Sequence, residues 1–357
     1  MAFDCYCALC GVGFSRMRIE STSSQTPLDR RRRWIEKRSR ALKEGGPFVP
    51  GEDPVKDYDA RVVDAEGLSW ISKAHCLGQN QDSKAKAKAF ISGPGYYADA
   101  GELAVKIGTP PKRAYFTCYA LGTDEAPGAV MPFHWCCFEI LLRTLTGGID
   151  PDSIKPDVLY DALSAMCNVS GSALQLDYGR DVAHAQGQYW QCIPGAEYSV
   201  KHPTNTPALS TSIQAELQGN DNLRTPYTKV NLKDRQPKSP FGKLPVEMVD
   251  KICSFLPGDS LKALIEASLF VQVITQENYF WKRFIQYDMP WLWEMQTLQA
   301  RDDLPPDLNY KLVHSWLDKI TTPEYGMNDS AWMGIANRRR IWNACEQVAP
   351  KYFDSLG

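Results

Sequence analysis

Leu244-Pro245-Val246-Glu247-Met248-Val249-Asp250-Lys251-Ile252-Cys253-Ser254-Phe255-Leu256-Pro257-Gly258 holds a helix start, an apolar face and a stop in one short stretch. Pro245 falls in the first turn, where its missing N–H costs nothing, and Glu247 lies near the positive end of the helix dipole. Met248, Ile252, Phe255 and Leu256 recur at i, i+4, i+7 and i+8, which predicts one apolar face. Pro257-Gly258 ends the helix, and Asp259 or Ser260 is expected to cap a second one carrying Leu261, Leu264, Ile265 and Ala267. A third segment runs through Val271 and Ile274, and Trp281, Phe284 and Ile285 close the group. Taken by periodicity alone, this is a three-helix cluster packing on its own domain.

Outward from this stretch the composition changes on both sides. Residues 203–240 hold five prolines among mostly polar residues, without useful periodicity, and are expected to be a flexible linker. Residues 288–357 continue the helical pattern, with Trp291, Trp293, Trp316, Trp332 and Trp342, as a C-terminal extension. Residues 1–202 mix aromatic, small and turn residues in the manner of an α+β domain. There, Ala114 to Tyr119 has strand composition and Trp135 to Leu145 reads as a buried helix. Pro156 opens another helix, striped by Leu159, Leu163 and Met166. The stretch from Gly45 to Asp59, rich in glycine, proline and aspartate, builds no core. No internal repeat is present, so solenoids and propellers are not supported. The expected fold is therefore α+β: a mixed N-terminal domain followed by all-α regions.

A chain of 357 residues, 43% apolar, is long enough for a real core. Its 40 lysines and arginines balance 42 acids, leaving no global field to draw in nucleic acid or anionic lipid. Partner recognition is thus expected to be local. The most apolar run, Phe133 to Leu142, contains His134 and Glu139 and falls short of the roughly 20 residues that span a bilayer. Met1 to Cys10 does not resemble a secretory signal, so a cytoplasmic or nuclear location is expected. The Asn168-Val169-Ser170 and Asn328-Asp329-Ser330 triplets are then not glycosylation sites. Eleven cysteines, an odd number, argue against a disulfide framework.

Cys7-Ala8-Leu9-Cys10-Gly11 has the two-residue gap that aims two sulfurs at one point, with Gly11 letting the backbone curl past them. His134 and Cys137 lie at i and i+3 and project from one side of a helix start, whereas Cys136 points about 100° away. Cys7, Cys10, His134 and Cys137 would form a closed tetrahedral set suited to structural zinc, with no open position for substrate. Two other readings stand beside it. The cysteines can be simple core hydrophobes, with Cys5 able to replace either N-terminal ligand, or Cys7 and Cys10 can be a redox dithiol. Too few residues precede Cys7 for the strand that a thioredoxin-like dithiol needs.

The run Arg30-Arg31-Arg32-Arg33-Trp34-Ile35-Glu36-Lys37-Arg38 follows Thr26-Pro27 and precedes Gly45-Gly46, the start and stop signals of a helix. A solvated amphipathic helix with Trp34, Ile35, Ala41 and Leu42 as its apolar stripe explains it. A nuclear-import or nucleic-acid patch is the alternative. Enzyme motifs are missing: there is no Gly-x-Ser-x-Gly elbow, His-Glu-x-x-His, phosphate loop or dinucleotide fingerprint. His75 and Cys76 are sequence neighbours that seldom face each other across a site.

Leu244-Pro245 with an acid two residues on, the Met/Ile/Phe/Leu spacing, a second helix ending in Ala267-Ser268 and Trp281 together resemble an F-box. The likeness covers residues 241–287 and departs at Leu269 and Phe270, where many members carry a basic residue. Further order is similar to a family of F-box proteins found mainly in fungi. It comprises Cys7-x-x-Cys10-Gly11, Pro132-Phe133-His134-x-x-Cys137, Leu176-Asp177-Tyr178-Gly179, the F-box, and Asn337-Arg338-Arg339-Arg340-Ile341-Trp342. The resemblance implies a non-catalytic substrate receptor that docks on a Skp-type adaptor, and through it a cullin ubiquitin ligase, to recruit a protein target that the sequence does not name. Leu244, Pro245, Met248, Ile252, Leu256, Leu261 and Leu264 would then be shared between the small core and the adaptor groove. An F-box scaffold bound to the adaptor with no ubiquitination role is the other implication.

Overall fold

The structure is a computed structural model, and it describes residues 4–19, 25–47, 56–80, 87–99, 101–119, 129–167, 171–225 and 240–357. The class is α+β. Two compact units are formed: Met1–Thr206 with Pro323–Gly357, and Pro207–Thr322.

The first unit begins with α1 (Gln25–Lys43). Six strands follow: β1 (His75–Gln79), β2 (Ala89–Ile91), β3 (Tyr96–Asp99), β4 (Glu102–Ile107), β5 (Lys112–Thr117) and β6 (Met131–Phe133). They make two antiparallel three-stranded sheets, ordered β2-β1-β6 and β3-β4-β5. The strand predicted at Ala114 to Tyr119 is β5, which stops at Thr117 because Tyr119 takes a φ of 56°. Next come α2 (Trp135–Thr146), α3 (Pro156–Ser164) and α4 (Arg180–Ala185). Helix α2 buries Cys137, Phe138, Ile140, Leu141 and Leu142, and Gly147 ends it at a φ of 76°, its N–H donating to the Arg143 carbonyl.

The second unit is helical: α5 (Leu209–Gly219), α6 (Val246–Phe255), α7 (Gly258–Ala267), α8 (Leu269–Ile274), α9 (Asn278–Asp288), α10 (Trp293–Ala300) and α11 (Tyr310–Thr321). Trp281 packs between Phe280, Phe284 and His314, and its indole N–H donates to the Thr275 carbonyl at 2.6 Å. Arg283 of α9 donates to Asp250 and to Ser254 Oγ, tying α6 down. Pro245 occupies the cap position of α6 rather than its first turn. Neither Asp259 nor Ser260 caps α7; Asp288 Oδ1 accepts the Gly258 N–H at 2.7 Å instead, and its other oxygen meets His314 Nε2 at 2.7 Å. The chain then returns to the first unit with α12 (Ser330–Asp354), which runs along α2.

Three expectations change. The predicted linker at 203–240 contains α5 and a 3₁₀ turn at Asp221–Arg224, and its residues 226–239 lie outside those described. Leu209, Ile213 and Leu217, spaced i, i+4 and i+8, bury one face of α5 and outweigh the surrounding prolines. The predicted extension at 288–357 is not one body, because α12 belongs with the N-terminal residues. The stretch from Gly45 to Asp59, expected to build no core, buries Tyr58 and Asp59 completely at its end, while its residues 48–55 lie outside those described, as does the Asn168 triplet.

The arginine run is a helix, but not a uniformly solvated one. Arg31 is 5% exposed and Ile35 is fully buried; Arg31 donates to the Asp57 carbonyl and faces the charges of Asp59 and Glu197. Arg32 donates to the Gly326 carbonyl at 2.7 Å. We expect Arg31→Ala to lower the unfolding free energy of the first unit by about 2–3 kcal/mol, because charge-assisted bonds in a buried setting are lost. Arg30→Ala, at an exposed position, should stay within about 0.5 kcal/mol. Denaturant melts of both variants check this, and equal effects would contradict it.

Candidate metal centre and docking face

Residues 4–14 are almost wholly buried. Tyr6 bridges to Gly13, and between them Cys7 N donates to the Val12 carbonyl and Gly11 N to the Cys7 carbonyl, each at 2.9 Å. This tight turn points the sulfurs of Cys7 and Cys10 inward. Gly11 takes a φ of +71°, and a Cβ there would lie 2.6 Å from Tyr178 Cγ. Gly11→Ala is therefore expected to destabilise the first unit by about 2–4 kcal/mol, through left-handed strain plus overlap. A denaturant midpoint unchanged from wild type would show that the turn tolerates a side chain.

His134 and Cys137 come from the junction where β6 runs into α2. His134 caps the helix, its carbonyl accepting the N–H groups of Cys137 and Phe138. The imidazole lies between Phe14 and Trp70, with Nε2 at 2.9 Å from the Ile71 carbonyl and Nδ1 at 3.4 Å from Cys10 Sγ. A carbonyl can only accept, so Nε2 carries the proton and Nδ1 offers its lone pair to the cluster. The ligand atoms of Cys7, Cys10, His134 and Cys137 all lie within 4.8 Å of one another, and all four residues are buried. This group could hold a metal ion.

Electrostatics favour that use. Burial pushes the Cys10 and Cys137 thiols well above their ordinary range. Burial also opposes the Cys7 thiolate, but hydrogen bonds from Cys10 and Cys137 hold it well below the usual thiol value. Three sulfurs packed this closely, shielded from water, cannot all ionise without a cation among them. Four donors from the chain would fill the coordination shell of a tetrahedral ion.

Cys5, the alternative ligand, is outside the group and packs beside Cys118. The turn is also clamped by partners that the metal-ligand spacing does not reveal. Tyr178 Oη donates to the Ala8 carbonyl at 2.9 Å, Gln186 Nε2 to the Gly11 carbonyl at 2.7 Å, and Arg340 Nη1 to the Cys10 carbonyl at 2.6 Å. Tyr178 and Arg340 belong to the Leu176-Gly179 and Asn337-Trp342 motifs, which the structure brings to one place. His75 and Cys76 are not an activated pair: burial brings His75 down to about 4 and pushes Cys76 up to about 12.

In the second unit, α6 turns Val249 and Cys253 inward and leaves Met248 54%, Ile252 38% and Phe255 69% exposed. Leu244 and Pro245 just before it and Val246, its first residue, are exposed as well. The face predicted at Met248, Ile252 and Phe255 therefore points outward, and the core is served by residues one position further on. Leu256 and Leu264 are half-buried and remain within reach of a partner. Leu261 is fully buried, so its expected place in an adaptor contact is withdrawn: it is a core residue of α7. Val246 and Phe255 join the exposed face in its stead. Lys251 Nζ lies 4.8 Å from the Phe255 ring, leaving most of that ring open.

Comparison with family models, with curated proteins and with solved structures returns no match to this chain. Among the described residues no helix is long and apolar enough to cross a membrane.

Proposed function

We propose that the chain is a non-catalytic F-box substrate receptor. The second unit docks on a Skp-type adaptor, which links it to a cullin ubiquitin ligase, so that a protein target is recruited. The observation that supports this most is α6, apolar on its inner side at Val249 and Cys253 and again on its outer side at Met248, Ile252 and Phe255. A helix apolar on both sides belongs inside an assembly, and an exposed row at i, i+4 and i+7 is the form in which one helix enters another protein's groove. Each large side chain buried there would contribute on the order of 1.5–3 kcal/mol. Recovery of adaptor together with cullin on the tagged chain supports a ligase receptor. Adaptor without cullin would indicate a scaffold, and absence of both would overturn the reading.

The metal of the first unit is, on this reading, zinc. Three thiolates and one imidazole in a closed set match its preference for tetrahedral sulfur and nitrogen ligands, and an ion without redox chemistry suits a centre with no open site. Elemental analysis of the purified protein should find about one equivalent of zinc, and less than about half an equivalent would count against it.

A further inference from the structure

Arg340 is 4% exposed, and its hydrogen bonds all go to neutral oxygens. Nη1 donates to the carbonyls of Cys10 (2.6 Å) and Tyr178 (3.0 Å), Nη2 to Asn337 Oδ1 (2.7 Å) and the Ser199 carbonyl (3.5 Å), and Nε to Asn337 Oδ1 (3.1 Å). Asn337, itself fully buried, is fixed in turn by donating from Nδ2 to the Lys201 carbonyl at 2.6 Å. Every donor of the guanidinium is thus engaged, yet no carboxylate among the described residues forms an ion pair with it. Two acids, Asp177 and the buried Asp181, line the same cavity as Arg340, and Asp181 is engaged by Tyr198 Oη and Arg180. A buried cation with no carboxylate bonded to it is costly, and proteins retain one where an anion lies close by.

The neighbour whose charge fits is the cysteine cluster. Three thiolates, a neutral imidazole and a divalent ion leave one net negative charge, buried, with Arg340 bonded to the backbone of one of its ligands. We propose that Arg340 is the counter-charge of an anionic metal–thiolate centre, so that metal loading of the Cys7–Cys10 turn and docking of α12 are one coupled event. The inference rests on the metal reading above. It makes Arg340 a positioning residue with two tasks: its bond to the Cys10 carbonyl holds the turn, and its charge balances the loaded site. Because coupling between two binding events is reciprocal, the metal must also hold α12 in place. Removing the ion then loosens a helix whose Arg340 lies 330 residues from Cys10 in sequence.

The test uses the full chain. Metal content of the wild type comes first: a metal-free protein overturns the metal reading, and this one with it. With metal present, competition against a chromophoric chelator should show Arg340→Gln weakening zinc affinity by roughly 10- to 100-fold, the range typical of outer-shell partners. Arg340→Lys, which keeps the charge but not the fork of donors, should retain most of the affinity. Unchanged affinity in Arg340→Gln, or equal loss in both variants, would overturn the charge role and leave the metal site standing. The second measurement needs no variant. Amide hydrogen exchange of the wild type should speed up across residues 330–354 when zinc is chelated, whereas unchanged protection of α12 would overturn the coupling even if neither substituted chain folds.

Discussion

On the zinc reading proposed above, Cys137→Ser should release the metal and unfold the first unit. Cys137 is wholly buried on α2, and its sulfur is one of four donors gathered within 4.8 Å. A serine hydroxyl is a poor zinc ligand, and its removal of one thiolate leaves Cys7 and Cys10 buried without the cation that stabilises their charge. Structural zinc contributes roughly 10 kcal/mol or more in small domains, against a net domain stability of about 5–15 kcal/mol. The loss therefore rivals the stability of the whole unit. Cys136 supplies the control: it is the adjacent residue, 7% exposed and outside the ligand group, so Cys136→Ser should cost only about 1–2 kcal/mol. Thermal melts with and without chelator separate the two. Wild-type melting of Cys137→Ser, or no response of the wild type to chelator, would contradict the account.

The second large effect is expected in the other unit. Leu244→Ala with Pro245→Ala, or Ile252→Asp alone, should abolish adaptor co-purification while leaving the fold largely intact. Leu244, Pro245 and Ile252 are exposed, and the internal bonds that fix α6, from Arg283 to Asp250 and Ser254, do not involve them. In helix-in-groove contacts a few anchors carry most of the binding energy. Losing two apolar anchors, or placing a carboxylate in their pocket, costs about 4 kcal/mol, roughly a thousandfold in affinity. Val249→Ala makes the contrast: facing inward, it should lower the melting temperature while preserving binding whenever the protein is folded. Binding that survives Ile252→Asp would show that this face is not the one used.

How legible these features are in the sequence follows from how local their causes are. The two halves of the Cys7, Cys10, His134 and Cys137 group can be read directly, because a two-residue gap between sulfurs and an i, i+3 pair at a helix start are short-range geometry. The clamp on the turn cannot, since Arg340 reaches the Cys10 carbonyl across the whole chain and nothing in its neighbours signals the pairing. The row at Met248, Ile252 and Phe255 is legible as apolar but not as outward-facing. Periodicity defines a face without saying what lies against it, and Val249 and Cys253 offer a second, competing face. Leu261 shows the same ambiguity with the opposite outcome. Prolines and polar residues around Leu209, Ile213 and Leu217 mask α5, although the spacing of those three residues is helical. Charge alone misleads at Arg31, where a guanidinium expected in water is held inside by the Asp57 carbonyl and nearby acids.

The most direct test of the proposed role is calorimetric titration of the purified full-length chain with a purified Skp-type adaptor at several temperatures. Burial of the Met248, Ile252 and Phe255 face should appear as a one-to-one complex with a clearly negative heat-capacity change, the robust mark of apolar burial. Absence of any complex at protein concentrations of about 10 µM, or binding whose enthalpy does not vary with temperature, would contradict the central claim.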